Sequence, residues 1–171
     1  MRQRPEFISL GVITKPHGIK GEVLVFPLTD DPDQFKKLKN LFISGIDGER
    51  ELVTIERIRK KNSSLIIKFA GVNNRDQAEE LIQSKIEKRL EDSEPLQPDE
   101  YYIFDLIGLN VLTETGENIG TVEDILTLPA NDVYVVRKKS REVLIPAIKD
   151  VVKKIDLEEE TIFIELIDGL I

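Results

Sequence analysis

The chain has 171 residues, 40% of them apolar, with 24 Lys and Arg against 32 Asp and Glu and a formal net charge of −8. It contains no cysteine and one histidine, which excludes disulfides, thiolate metal sites, cysteine nucleophiles and paired-histidine zinc sites. No apolar run nears the ~20 residues of a membrane-spanning helix, residues 7–13 are too short and too broken for a secretory signal, and no glycine-rich nucleotide loop is present. The chain therefore reads as cytosolic, and at ~100–200 residues per domain it holds one domain or two small ones.

The charge is uneven. Residues 1–89 carry 17 Lys and Arg against 13 Asp and Glu, net +4, and residues 90–171 carry 7 against 19, net −12. Two domains with different partners would produce this asymmetry; so would two solvated surfaces that have drifted apart. An acidic half is repelled by RNA phosphates and attracted to a basic protein, whereas a basic half can sit near RNA.

In chain order, residues 7–13 and 21–28 are apolar runs rich in β-formers. Between them Lys15-Pro16-His17-Gly18-Ile19-Lys20-Gly21 reads as a turn, as does Asp30-Asp31-Pro32-Asp33. Residues 41–44 lead into the hairpin signal Gly45-Ile46-Asp47-Gly48. Residues 51–58 read as one partly alternating strand, with Val53 and Ile55 on one side. Residues 64–69 alternate with Leu65, Ile67 and Phe69 inward. Asn74-Arg75-Asp76-Gln77 resembles a helix-starting capping box, and Ala78, Leu81 and Ile82 follow as one apolar stripe. Residues 85–90 return as a closing strand. Residues 91–99, with two prolines among four carboxylates, form the linker.

The second half is also mostly strand. Residues 109–112 are followed by the turn Thr115-Gly116-Glu117-Asn118, then by a long strand over 119–126 with Glu123-Asp124 at a bulge. Residues 132–137 and 143–145 are strands around a turn at 138–141. Ile148, Val151, Val152 and Ile155 have helical spacing and predict a short helix. Residues 161–166 alternate, with Ile162, Ile164 and Leu166 on one face. The expected fold is mainly β: two small β-barrels with short helices, on residues 1–90 and 100–171, separated by the linker at 91–99. Closing a small sheet into a barrel removes its edges.

Several residues carry functional potential. In the 15–21 segment, Gly18 and Gly21 allow positive φ, and Lys15 and Lys20 set cations beside backbone N–H groups. That suits a phosphate or an acidic surface; an ordinary glycine turn bearing surface lysines is the plainer reading. His17 has no evident nucleophile beside it and reads as a turn histidine bonded to backbone, not as a general base. Tyr101-Tyr102-Ile103-Phe104-Asp105 concentrates aromatics. As a strand it would set Tyr101 and Ile103 on one face and Tyr102 and Phe104 on the other. One face could then offer an interface anchor, or both could pack inward. Asn131 and Asp132 precede a strand and most simply bond local backbone. Asp156 with Glu158-Glu159-Glu160 reads as a solvated acidic turn.

Taken together, the tracts are similar to those of the bacterial ribosome maturation factor family RimM. The opening signature is Gly11-Val12-Ile13-Thr14-Lys15-Pro16-His17-Gly18-Ile19-Lys20-Gly21-Glu22-Val23. Thr29-Asp30, Asn74-Arg75-Asp76, Glu100-Tyr101-Tyr102, Asp105-Leu106-Ile107-Gly108, Ala130-Asn131-Asp132-Val133, Leu144-Ile145-Pro146-Ala147 and Gly169-Leu170 follow in order across both halves. The resemblance implies an N-terminal barrel like those of translation factors and a C-terminal PRC-barrel. It implies a non-enzymatic factor for late assembly of the small ribosomal subunit. Such a factor binds a basic protein of the subunit head, the nineteenth small-subunit protein, and promotes maturation of the small-subunit rRNA.

On that resemblance the expected partner-binding residues are Tyr101, Tyr102, Asp105, Asn131 and Asp132 in the second half, and Lys15, His17, Gly18, Lys20 and Gly21 in the first. The tyrosine pair is the one tied to subunit association. No catalytic residue, metal or cofactor is expected, and the chain is expected to act as a monomer. The sequence departs from the family pattern at Ile103, where many relatives carry Trp, and at Leu128-Pro129, where many carry Thr-Gly. The alternative reading is a translation-associated RNA-binding barrel needing no protein partner, with Arg57, Arg59, Lys60 and Lys61 added to the 15–21 loop as its footprint.

Overall fold

The computed structural model describes residues 3–29, 31–38 and 40–171. Asp30, part of an expected turn and of the Thr29-Asp30 tract, lies outside the described residues. The chain divides into two compact units, one spanning Pro5–Glu94 and the other spanning Pro95–Ile171 together with the N-terminal segment up to Arg4. Both are mainly β, and each is wrapped around its own apolar core.

The first unit contains β1 (Phe7–His17), β2 (Glu22–Pro27), α1 (Gln34–Lys37), β3 (Leu41–Ser44), β4 (Arg50–Val53), β5 (Ile55–Lys61), β6 (Ser64–Phe69), α2 (Arg75–Glu79) and β7 (Lys85–Arg89). The strands form one antiparallel sheet in the order β4-β3-β7-β1-β2-β6-β5. Alternation sends Leu10, Ile13, Val23, Val25, Leu65, Ile67, Phe69 and Ile86 into the core. The long β1 pairs with β7 near its start and with β2 near its end, and register shifts after Ser9 and after Ile13 bend it between the two. Such shifts let one strand serve two parts of a strongly curved sheet.

Three expectations are corrected here. The 15–21 segment is not all turn: Lys15, Pro16 and His17 continue β1, paired with Leu24, Val23 and Glu22. Residues 51–58 are two strands, because the chain breaks at Thr54 and crosses from β4 at one end of the strand order to β5 at the other. A helix, α1, follows Asp33 where none was expected. It is one turn long, and its purpose is to bury Phe35, which is 1% exposed. The capping reading of α2 holds: the Asn74 side chain accepts from the Gln77 N–H, and Ala78 is fully buried.

The second unit contains α3 (Ile103–Leu106), β8 (Asn110–Thr113), β9 (Asn118–Leu126), β10 (Val133–Lys138), β11 (Arg141–Pro146), β12 (Val152–Asp156) and β13 (Thr161–Ile164). Its sheet runs β11-β10-β9-β8-β13-β12, antiparallel except for the parallel pair β13 and β8. Leu109, Val111, Val122, Val136, Ile145, Val151, Ile162 and Ile164 fill its core. The expected bulge is present: Val135 pairs with Asp124 and Val136 with Val122, which leaves Glu123 unpaired in the ladder.

The helix expected from Ile148, Val151, Val152 and Ile155 does not form. The Val151 and Val152 N–H groups both bond the Ile148 carbonyl in a single turn, after which β12 pairs with β13. The β-branched Val152 and Ile155 fit a pleated strand better than a helix. The strand at 161–166 stops at Ile164, and Leu166 is 42% exposed. The 101–106 segment is also not a strand. Tyr102 is extended, and a short helical turn follows, closed by the Ile107 N–H on the Ile103 carbonyl.

Candidate partner-binding site

The first group of expected residues sits on the β1–β2 hairpin. Lys15 and His17 are at the end of β1, and Gly18, Ile19, Lys20 and Gly21 make the turn. Ile19 is 77% exposed at its tip, between Gly18 and Lys20. Gly18 has φ +67 and open space around it. The Arg75 guanidinium donates to its carbonyl at 3.2 Å, tying the tip to α2. Gly21 is different. It has φ +88, and a Cβ there would lie 2.1 Å from the Val72 carbonyl oxygen. The shelf it rests on is held by Lys68, whose amine donates to the Phe69, Val72 and Asn73 oxygens. Glu22, opposite His17, pairs with Arg59 at 2.8 Å. The hairpin is thus a rigid arm carrying two exposed lysines and an apolar tip.

In the second unit the tyrosine pair separates. Tyr101 packs against the core. Tyr102 instead stacks on Phe104, with ring centroids 4.9 Å apart and planes 11° from parallel. The Arg4 guanidinium covers both rings, 5.6 Å from the Tyr102 centroid and 5.5 Å from that of Phe104. It is fixed there by an ion pair with Asp105 at 2.9 Å. Asp105 therefore serves first as the anchor of a cation that orders the aromatic ledge.

Asn131 and Asp132 precede β10. The Asn131 side-chain amide donates to the Asp132 carbonyl at 2.8 Å, and the Ala147 N–H donates to the same oxygen at 2.8 Å. The Asn131 side chain thus bonds local backbone as expected, whereas Asp132 contributes its main-chain carbonyl. Burial pushes the neighbouring Tyr134 hydroxyl up to about 12, and the Asp132 carboxylate and Tyr101 push it the same way. Among the described residues, no group of three or more His, Asp or Glu is arranged to hold a metal ion, and no helix is long and apolar enough to cross a membrane.

Comparison with known families accounts for nearly the whole chain. The RimM N-terminal domain model matches residues 8–92, and the RimM PRC barrel domain model matches residues 103–170. The chain belongs to the RimM family. The ribosome maturation factor RimM of Caldanaerobacter subterraneus subsp. tengcongensis is 40% identical over 166 residues, covering 96% of this chain and 99% of that protein. The one from Clostridioides difficile is 40% identical over 172 residues, covering 100% and 99%. A crystal structure of a RimM protein from Pseudomonas aeruginosa is 27% identical, covers 94% of this chain and 97% of its own, and has a TM-score of 0.49.

Sequence reasoning missed the roles of Arg4 and Arg75. Arg4 lies 101 residues from Asp105, a separation no local pattern reveals. Phe104 was noticed only as part of an aromatic run. Arg75 sits in the capping tract but acts through its side chain on the distant Gly18 carbonyl.

Proposed function

We propose that this RimM-family chain is a non-enzymatic assembly factor of the small ribosomal subunit, acting in the cytoplasm as a monomer. It binds a basic protein of the subunit head, the nineteenth small-subunit protein, and promotes maturation of the small-subunit rRNA. The observation that carries the reading is the RimM match along both units. The choice of a basic partner rests on the net charge of −12 on residues 90–171. Carboxylates steer a cationic protein toward that surface. Tyr102, stacked on Phe104 beneath Arg4, supplies a flat amphipathic anchor with little rotamer freedom left to lose. Asp105 holds that ledge, Asn131 and Asp132 shape the neighbouring turn, and Tyr101 supports it from the core side. The hairpin residues Lys15, His17, Gly18, Lys20 and Gly21 make the second contact, with the maturing particle.

Holding the basic protein masks its cations until the rRNA site has formed, so the work is done by binding and release. The test is capture of the purified head protein by the full chain across a salt series. Capture should weaken as salt rises, because exposed charges are screened within ~8–10 Å at physiological ionic strength, and Tyr102→Ala should weaken it further at every salt concentration. Capture indifferent to both would overturn the partner assignment.

A further inference from the structure

A second surface, on the first unit, has the chemistry of a nucleic-acid site. Residues directly opposite one another in neighbouring strands project to the same face of a sheet. Ser44 on β3 pairs with Arg50 on β4 and with Lys85 on β7. Phe42 pairs with Leu52 and Glu87, and Phe7 on β1 pairs with Arg89 on β7. These residues alternate with the core residues Leu41, Ile43 and Ile86, so they occupy the outer face.

The side chains on that face are organised. Phe7 and Phe42 meet edge to face with centroids 5.2 Å apart. The Arg50 guanidinium lies over the Phe7 ring, 4.2 Å from its centroid, and its Nε donates to the buried Glu87 carboxylate at 2.6 Å. Arg89 stands 5.9 Å from the Phe7 centroid and 5.6 Å from that of Phe42, and it pairs with the exposed Glu91 at 3.3 Å. The side chains of Arg50 and Arg89 are still 39% and 44% exposed.

A guanidinium held over a ring and fixed through its Nε has already lost much of its rotamer freedom, so a ligand meets it pre-organised. The terminal nitrogens of Arg50 have no partner among the described residues, and its exposed side offers a stacking plane. Lys85, exposed beside Ser44, adds a mobile cation. Planar stacking surface plus three cations, Arg50, Arg89 and Lys85, against the two carboxylates of Glu87 and Glu91 matches a ligand that carries both π-faces and phosphates. An acidic peptide would use the charge and leave the stacking plane idle.

We propose that this face binds single-stranded RNA, with an unstacked base on the Arg50–Phe7 pair and phosphates on Arg89 and Lys85. The basic stretch at 57–61 is on β5, which pairs with β6 and not with β3, β4 or β7.

The test titrates the full chain against a fluorescent single-stranded oligoribonucleotide of mixed sequence over a salt series, with the matching duplex in parallel. The single strand should bind more tightly than the duplex. Arg50→Lys keeps the charge and the Glu87 partner and removes the flat plane, so it should weaken binding about tenfold with an unchanged salt slope. Lys85→Gln should flatten that slope by about 0.7. Arg57→Gln, on β5, should change neither. Affinities and slopes of Arg50→Lys and Lys85→Gln equal to the parent's would overturn the proposal, as would displacement of the RNA by poly-glutamate at equal charge concentration. Capture of the basic head protein by the same variants should be unaltered, so this site and the protein-partner reading can fail independently.

Discussion

Gly18 and Gly21 share a turn and a positive φ, yet they tolerate change very differently. At Gly18 a methyl group meets nothing within 4 Å, so Gly18→Ala carries only the left-handed backbone cost, about 1 kcal/mol. At Gly21 the same methyl would run into the Val72 carbonyl, and overpacking adds to the backbone cost for a total of about 3 kcal/mol. Urea melts of the two variants should separate them by about 2 kcal/mol. Tyr134 is the other residue with a measurable signature. Burial pushes its hydroxyl up to about 12 in the folded chain, against an ordinary value near 10. Above pH 10 the unfolded chain loses this proton first, so it binds fewer protons than the native state and stability falls as pH rises toward 12. Tyr134→Phe should flatten the alkaline arm of a stability-against-pH curve over that range. Asp105 teaches a different lesson: a carboxylate read from sequence as a partner contact is already engaged by Arg4.

Element by element, the sequence was most legible where a local rule had no competitor. The Asn74 cap is such a case, since its side chain accepts the Gln77 N–H at 2.9 Å. Asn74→Ala should lower stability by about 1 kcal/mol in thermal or urea melts, with the Gly21 shelf loosening beside it. Strands β2, β3, β6, β7, β9 and β10 form where strands are expected, β2 as an apolar run rich in β-formers and β6 by its alternation. The misreadings have particular causes. Residues 148–155 satisfy both a helical spacing and a turn followed by a strand, and pairing with β13 decides between them. The aromatic run at 101–104 has high strand propensity, but the packing of Leu106 and Leu109 into the core draws the chain into a helical turn. Helix α1 was invisible because one buried aromatic, Phe35, makes no periodic pattern. Within the candidate site, the hairpin and tyrosine positions were legible as motifs. The contacts that order them, Arg75 to the Gly18 carbonyl and Arg4 to Asp105, span 57 and 101 residues and leave no local trace.

For the whole molecule the governing feature is the division into two units of unequal charge: the unit of Pro5–Glu94 has 15 Lys and Arg against 16 Asp and Glu, net −1, and the unit of Pro95–Ile171 with the segment up to Arg4 has 9 against 16, net −7. Family membership was also legible at this scale, because individually weak tracts recur in order along the chain. On the proposed reading the more acidic unit holds a cationic protein and the other meets RNA, with no bond made or broken. That reading is tested most directly by co-sedimentation of the purified chain with immature and with mature small ribosomal subunits. Selective sedimentation with the immature particles, reduced by Tyr102→Ala and by added salt, is the expected result. A chain that stays in the supernatant with both particles, or that sediments equally with each whatever the variant and the salt, would contradict it.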